Sequence, residues 1–138
     1  MSLARHTLSK TERLKSYKRI RILFAEGLKF KVQPLLVYYK LSTFQSTEMK
    51  VEFLQMGVSV GSRYFKKAVD RNLIKRRIRE AYRQNNQDLK QVLHKSNNRM
   101  DIFFVYTVSE KLSYDQIQEA MKRILQNLVD KASTASSN

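Results

Sequence analysis

KKAVDRNLIKRRIREAYR, residues 66–83, decides the reading of this chain. It contains neither glycine nor proline and is rich in Arg and Lys, with apolar residues at helical spacing, so it predicts a helix over residues 68–85. Successive helical residues turn by about 100°. Ile74, Ile78, Ala81 and Tyr82 then share an apolar face that should pack on a sheet. Asn72, Lys75, Arg76, Arg79 and Arg83 share a second face, with Asp70 and Glu80 expected off it and therefore no compensating acid. Like charges on helical neighbours cost a few tenths of a kcal/mol per pair. A phosphate backbone laid along the face reverses that sign, and the planar fork of Arg can hold two phosphate oxygens at once. The alternative is a solvated amphipathic helix, which the absence of acids on the face argues against. Arg71 fits neither face on an ideal wheel.

The surrounding composition points the same way. The 138 residues carry 27 Lys and Arg against 12 Asp and Glu, a net charge of +15. Residues 1–31 and residues 61–83 each hold nine basic and two acidic residues, which leaves the rest nearly balanced. Self-repulsion on this scale calls for a polyanionic partner. A hydrophobic fraction of 42% with 10% aromatics is that of a globular chain. The absence of cysteine excludes disulfides and thiolate metal sites and fits a reducing cytoplasm. No apolar run approaches the roughly 20 residues that span a bilayer, and no membrane association is expected.

Outward from the central helix, residues 51–60 read as a strand. Leu54, Met56, Val58 and Val60 point one way; Phe53, Gln55, Gly57 and Ser59 point the other. A polar connector, 42–50, separates it from an earlier strand at 35–41. A helix is predicted over 14–25, with Gly27 where a stop belongs. Downstream, 84–98 is polar with helical character at 89–93. Residues 101–108 (DIFFVYTV) form a third strand, with Phe103, Phe104 and Val105 read as core. Ser113 looks like the N-cap of a last helix striped by Ile117, Ala120, Met121, Ile124 and Leu128. The order α-β-β-α-β-α defines an α+β chain, a small α/β sandwich: a short sheet with helices packed mainly on one face. One domain over 12–130 is expected between a basic, flexible N-terminus, 1–11, and a disordered tail, 131–138.

Arg71-Asn72, Lys75-Arg76 and Arg79 resemble the Arg-Asn-x-x-Lys-Arg-x-x-Arg signature of bacterial ribonuclease P proteins. Arg13-Leu14-Lys15 with Phe24 and Gly27, then Leu36 to Tyr38 and Gly57-Val58-Ser59-Val60, follow in that family's order, so the resemblance covers roughly residues 10–128. It implies a left-handed βαβ crossover, where the general rule favours a right-handed one. It also implies a protein subunit that binds a catalytic RNA and grips the 5′ leader of precursor tRNA, with Mg2+ held chiefly by the RNA subunit and the substrate. Arg71, Asn72, Lys75, Arg76 and Arg79 take the signature's RNA-contact roles, and Arg83 extends the face. Ile20, Phe24 and Tyr38 fall where the family builds its leader cleft. Ile20 departs from the aromatic that relatives often place there. The loop 61–67 differs by one residue from better-known members, and its Lys66 and Lys67 are either phosphate contacts or solvated.

On the residues alone, Phe24 reads first as core and second as a stacking platform. Tyr38 is placed across a strand from Phe53 if both point to the open face. His6 and His94, the only imidazoles, sit in polar stretches without a metal-binding pattern, and no catalytic residue or metal ligand is expected in this chain. The alternative function is a non-catalytic RNA-binding protein, such as a ribosomal protein or RNA chaperone. A DNA-binding regulator is disfavoured because a strand and loop precede the basic helix, where a helix-turn-helix needs a helix.

Overall fold

Alternating side chains in four short segments build one mixed sheet, which three helices cover on one face and one helix crosses on the other. The structure, a computed structural model, describes residues 10–43 and 53–136. The elements are α1 (Tyr17–Glu26), β1 (Leu28–Val32), β2 (Leu35–Thr43), β3 (Leu54–Val60), α2 (Ala68–Asn85), α3 (Gln87–Ser96), β4 (Asn98–Tyr106) and α4 (Tyr114–Ser136). The sheet order is β1-β2-β4-β3. β4 pairs antiparallel with β2 and parallel with β3, so β3–α2–α3–β4 is the βαβ crossover unit.

The α+β sandwich is therefore present, with two elements more than expected. β1 (LKFKV) does alternate apolar and polar residues, but it is only five residues long and directly follows the helix stop at Gly27, and it had gone unread. It is an edge strand, and exposed Lys29 and Lys31 blunt that edge. The stretch after α2 is a full helix, α3, because Leu89 and Leu93, one turn apart, are both fully buried. Asn97 ends it at φ 56°, a left-handed conformation that Asn tolerates, and β4 begins at the next residue.

α1 starts three residues later than expected. Arg13 and Leu14 lie extended along the outer edge of β3, where the Leu14 N–H donates to the Met56 carbonyl at 2.8 Å. Only then does Ser16 cap the helix, its hydroxyl accepting from the Arg19 N–H. Gly27 ends α1 through close approach: a Cβ there would lie 2.4 Å from the Leu23 carbonyl oxygen. The tail expected to be disordered from 131 instead continues α4 to Ser136. Ala132 extends the stripe of Ile117, Met121, Ile124, Leu125 and Leu128 and is fully buried. The flexible N-terminus expected over 1–11 lies outside the described residues except Lys10 and Thr11, which open a 3₁₀ turn, Lys10–Glu12. His6, most of the 42–50 connector and residues 137–138 lie outside them as well.

The main core sits between the sheet and α2, α3 and α4. Ile74, Ile78, Ala81 and Tyr82 are all buried, as their helical face requires, and the Tyr82 ring meets Phe104 edge-on at 5.9 Å. Burying each such large side chain contributes about 1.5–3 kcal/mol.

Candidate nucleic-acid interface

Packing the apolar face of α2 turns its other face outward. Asn72 and Arg76 are exposed; Lys75 and Arg79 are half-buried along their stems. Among the described residues no ion pair engages Lys75, Arg76 or Arg79. Arg79 is held below its ordinary pKa by burial and then by the charge of Arg13. Lys66 and Lys67 are exposed just ahead of the helix.

Two arginines are placed otherwise than on the open cationic face. Arg83 forms a two-bond pair with Glu80, at 3.1 and 2.7 Å. The expectation of no compensating acid thus fails at the C-terminal end of the face, because the two long side chains span the angle that separates their Cα positions. Arg71 curls back and donates to the carbonyls of Phe65 and Lys66, both at 2.8 Å. It fastens the 61–67 loop to α2, whose N-cap Lys67 supplies no side-chain cap. That role accounts for its poor fit to either face. Arg77, never a candidate, donates to the Leu112 carbonyl at 2.6 Å and ties α2 to the segment before α4.

The opposite face of the sheet carries an aromatic groove beneath α1. Phe24 from α1 is 43% exposed. Its ring meets Tyr38 edge-on at a centroid distance of 4.6 Å and Phe103 at 5.1 Å. Tyr38 and Phe103 are register partners on β2 and β4. Phe103 was expected in the core with Phe104 and Val105; only Phe104 is there, fully buried. Phe53 does not share this face with Tyr38. It precedes the regular pleat of β3, so alternation does not reach it, and its ring packs on the core side near His94. Ile20 is half-buried on α1, and the Lys29 ammonium lies 5.9 Å from the Tyr38 ring centroid. The trio offers ring edges and faces for base stacking, with a cation at its rim.

α1 is pinned over this groove by Arg19. Its guanidinium donates to both carboxylate oxygens of Asp101 (3.2 and 2.5 Å) and to the Gln55 side chain at 3.0 Å. Arg99, 5% exposed, donates to the same carboxylate at 3.2 Å.

The sequence profile of the family described as Ribonuclease P matches residues 8–129. This chain belongs to the bacterial ribonuclease P protein family. A ribonuclease P protein component from Porphyromonas gingivalis strain W83 is 38% identical over 118 residues, which covers 86% of this chain and 83% of that protein. The same fold appears in the Thermotoga maritima RNase P protein, at TM-score 0.63 and 21% identity over 84% of this chain and 96% of that one. It also appears in the Staphylococcus aureus RNase P protein, at TM-score 0.61 and 23% identity over 84% of this chain and 94% of that one.

Among the described residues no three His, Asp or Glu side chains converge. Near the interface, Asp70 pairs with Lys111, Glu80 with Arg83 and Asp101 with Arg19. No helix among the described residues is long and apolar enough to cross a membrane.

The pinning carboxylate gives this ribonuclease P protein a pH signature. Burial raises the Asp101 carboxyl from its ordinary value, against the opposing pull of Arg19 and Lys40. The folded state then holds the proton more tightly than the unfolded chain. The group's contribution to stability is fullest below the unfolded pKa and is lost as pH rises through the folded one. Melting temperatures of wild type and Asp101→Asn, compared at low pH and near neutrality, should show wild type losing ground as pH rises. A difference that grows in favour of wild type over that range refutes the assignment.

Proposed function

We propose that this ribonuclease P subunit lays the outer face of α2 along the phosphates of the catalytic RNA and holds the 5′ leader of precursor tRNA in the groove beneath α1. The observation that carries the reading is the row Asn72, Lys75, Arg76 and Arg79, whose three cations have no acidic partner among the described residues on a helix anchored by its buried side. Lys66, Lys67 and, once freed from their present partners, Arg71 and Arg83 flank that row. Phe24, Tyr38 and Phe103 supply stacking surfaces that suit single-stranded RNA of varied sequence. In this reading the RNA subunit performs the hydrolysis in the cytoplasm, and Mg2+ is held by RNA and substrate phosphates. The interface acids of the protein are already paired with cations.

The test is reconstitution. The protein, a bacterial ribonuclease P RNA and a precursor tRNA are combined at low magnesium, and release of the 5′ leader is followed. Stimulated cleavage is expected. Binding without stimulation would favour a simple RNA-binding protein instead. The groove is tested separately by Tyr38→Ala. Wild type should bind a precursor with a long leader better than one with a short leader, and the variant should lose most of that advantage. Equal leader dependence in both proteins rules out Tyr38 as a leader contact.

A further inference from the structure

The segment that runs along β3 joins the two surfaces, and its side chains alternate between them. Leu14 is buried on the groove side, its carbonyl oxygen 3.6 Å from where a Gly57 Cβ would stand against Phe103. Arg13 pairs with Met56, whose buried side chain belongs to the core beneath α2. The segment is held from both ends. The Glu12 carboxylate accepts from Lys90 of α3 at 2.7 Å, and the Gln55 side chain donates to the Thr11 carbonyl at 2.8 Å.

Arg13 nonetheless keeps a donor unmet among the described residues. Its Nε is buried and has no hydrogen-bond partner among the described residues. Buried guanidinium N–H groups are rarely left so, because the group has lost water and gained nothing. The charge of Arg13 also bears on Arg79 of α2, which is itself partly desolvated. Two guanidinium groups from elements far apart in sequence thus repel each other, while the Glu12 carboxylate beside them is engaged by Lys90, an arrangement that an added anion would relieve.

We propose that Arg13 and Arg79 form a shared subsite for one RNA phosphate at the β3 edge, where the cationic face of α2 turns toward the leader groove. The proposal rests on the reading of α2 as the RNA-binding face and adds to it a residue outside the signature helix. An RNA phosphate is favoured over other anions because Arg79 closes the row of cations from Lys75 that have no acidic partner among the described residues.

The test measures binding to a bacterial ribonuclease P RNA transcript over a range of salt, with wild type, Arg13→Ala, Arg79→Ala, the double variant and Arg13→Lys. Each alanine variant should bind roughly tenfold more weakly, the loss of one charge-assisted hydrogen-bonded contact. Each should also lower the slope of log affinity against log salt by about 1. The double variant should lose far less than the product of the two single losses, because the same phosphate is lost in each. Arg13→Lys should recover the slope while leaving part of the affinity unrecovered, since an ammonium lacks the fork. Thermal melting accompanies each variant, so that unfolding is not read as lost binding. If Arg79→Ala weakens binding and Arg13→Ala does not, the shared subsite is overturned while the RNA-binding face stands. Full additivity in the double variant overturns the sharing as well. If neither substitution changes affinity or slope, the assignment of α2 fails, and the subsite with it.

Discussion

Gly57→Ala is expected to lower stability by about 2 kcal/mol, an overpacking cost, and to disable the aromatic groove at the same time. The added methyl would stand 2.6 Å from Cε2 and 2.7 Å from Cδ2 of Phe103, a separation that carbon atoms do not tolerate. The ring has little room to yield. Phe24 packs against it at 5.1 Å, and Phe24 is in turn wedged against Tyr38. Phe103 covers Gly57 as its register partner on the neighbouring strand, so the missing side chain of one residue is the seat of the other's ring. Thermal unfolding should show a fall in Tm of roughly 5–10 °C. The preference for long-leader precursors should shrink in parallel. Adding Phe103→Leu to Gly57→Ala should return part of the stability, because the smaller side chain clears the methyl, but none of the leader preference. A Gly57→Ala protein as stable as wild type would mean that the ring is not held where the structure has it.

The triple variant Lys75→Glu, Arg76→Glu, Arg79→Glu should bind ribonuclease P RNA at least about a thousandfold more weakly near physiological salt, taking about tenfold per lost phosphate contact. The slope of log affinity against log salt should fall by about 3. Stability should not fall by more than about 0.5 kcal/mol, because no described acid depends on the three side chains and a glutamate at 79 removes the repulsion from Arg13. This pairing of a large binding loss with an undiminished melting temperature separates an interface from a structural face. Filter binding or fluorescence anisotropy at several salt concentrations, with calorimetry on the free protein, would measure both. A triple variant that binds within tenfold of wild type would place the RNA elsewhere.

How far the sequence could be read depended on what each element packs against. α2 was legible because one of its faces meets a core and the other meets solvent, so helical spacing alone separated Ile74, Ile78, Ala81 and Tyr82 from Asn72, Lys75, Arg76 and Arg79. β4 was only half legible. It is a central strand covered on both sides, so its residues read as a nearly continuous apolar run, and nothing in such a run says which face belongs to the core. Phe103 was consequently assigned to the core, although strict alternation from Ile102, Phe104 and Tyr106 would have put it on the groove side. β1 was missed although LKFKV alternates strictly, because five residues directly after a helix stop are too few for their period to stand out. The Glu80–Arg83 pair and the looping back of Arg71 were beyond reach for another reason. A helical wheel reports where a side chain leaves the backbone, and long side chains end several ångströms from that direction.

The position of β4 between β2 and β3 has a consequence for how the chain comes to be folded. β2 and β3 follow one another in sequence yet never touch as strands, since each bonds to a strand that begins only at Asn98. A nascent chain leaving the ribosome can close the β1–β2 hairpin early, but β3 has no strand partner in the sheet until translation has passed Tyr106. The sheet must therefore be completed late and by insertion, after roughly three quarters of the polypeptide exists, and until then two rows of open backbone groups stay exposed to water and to other chains.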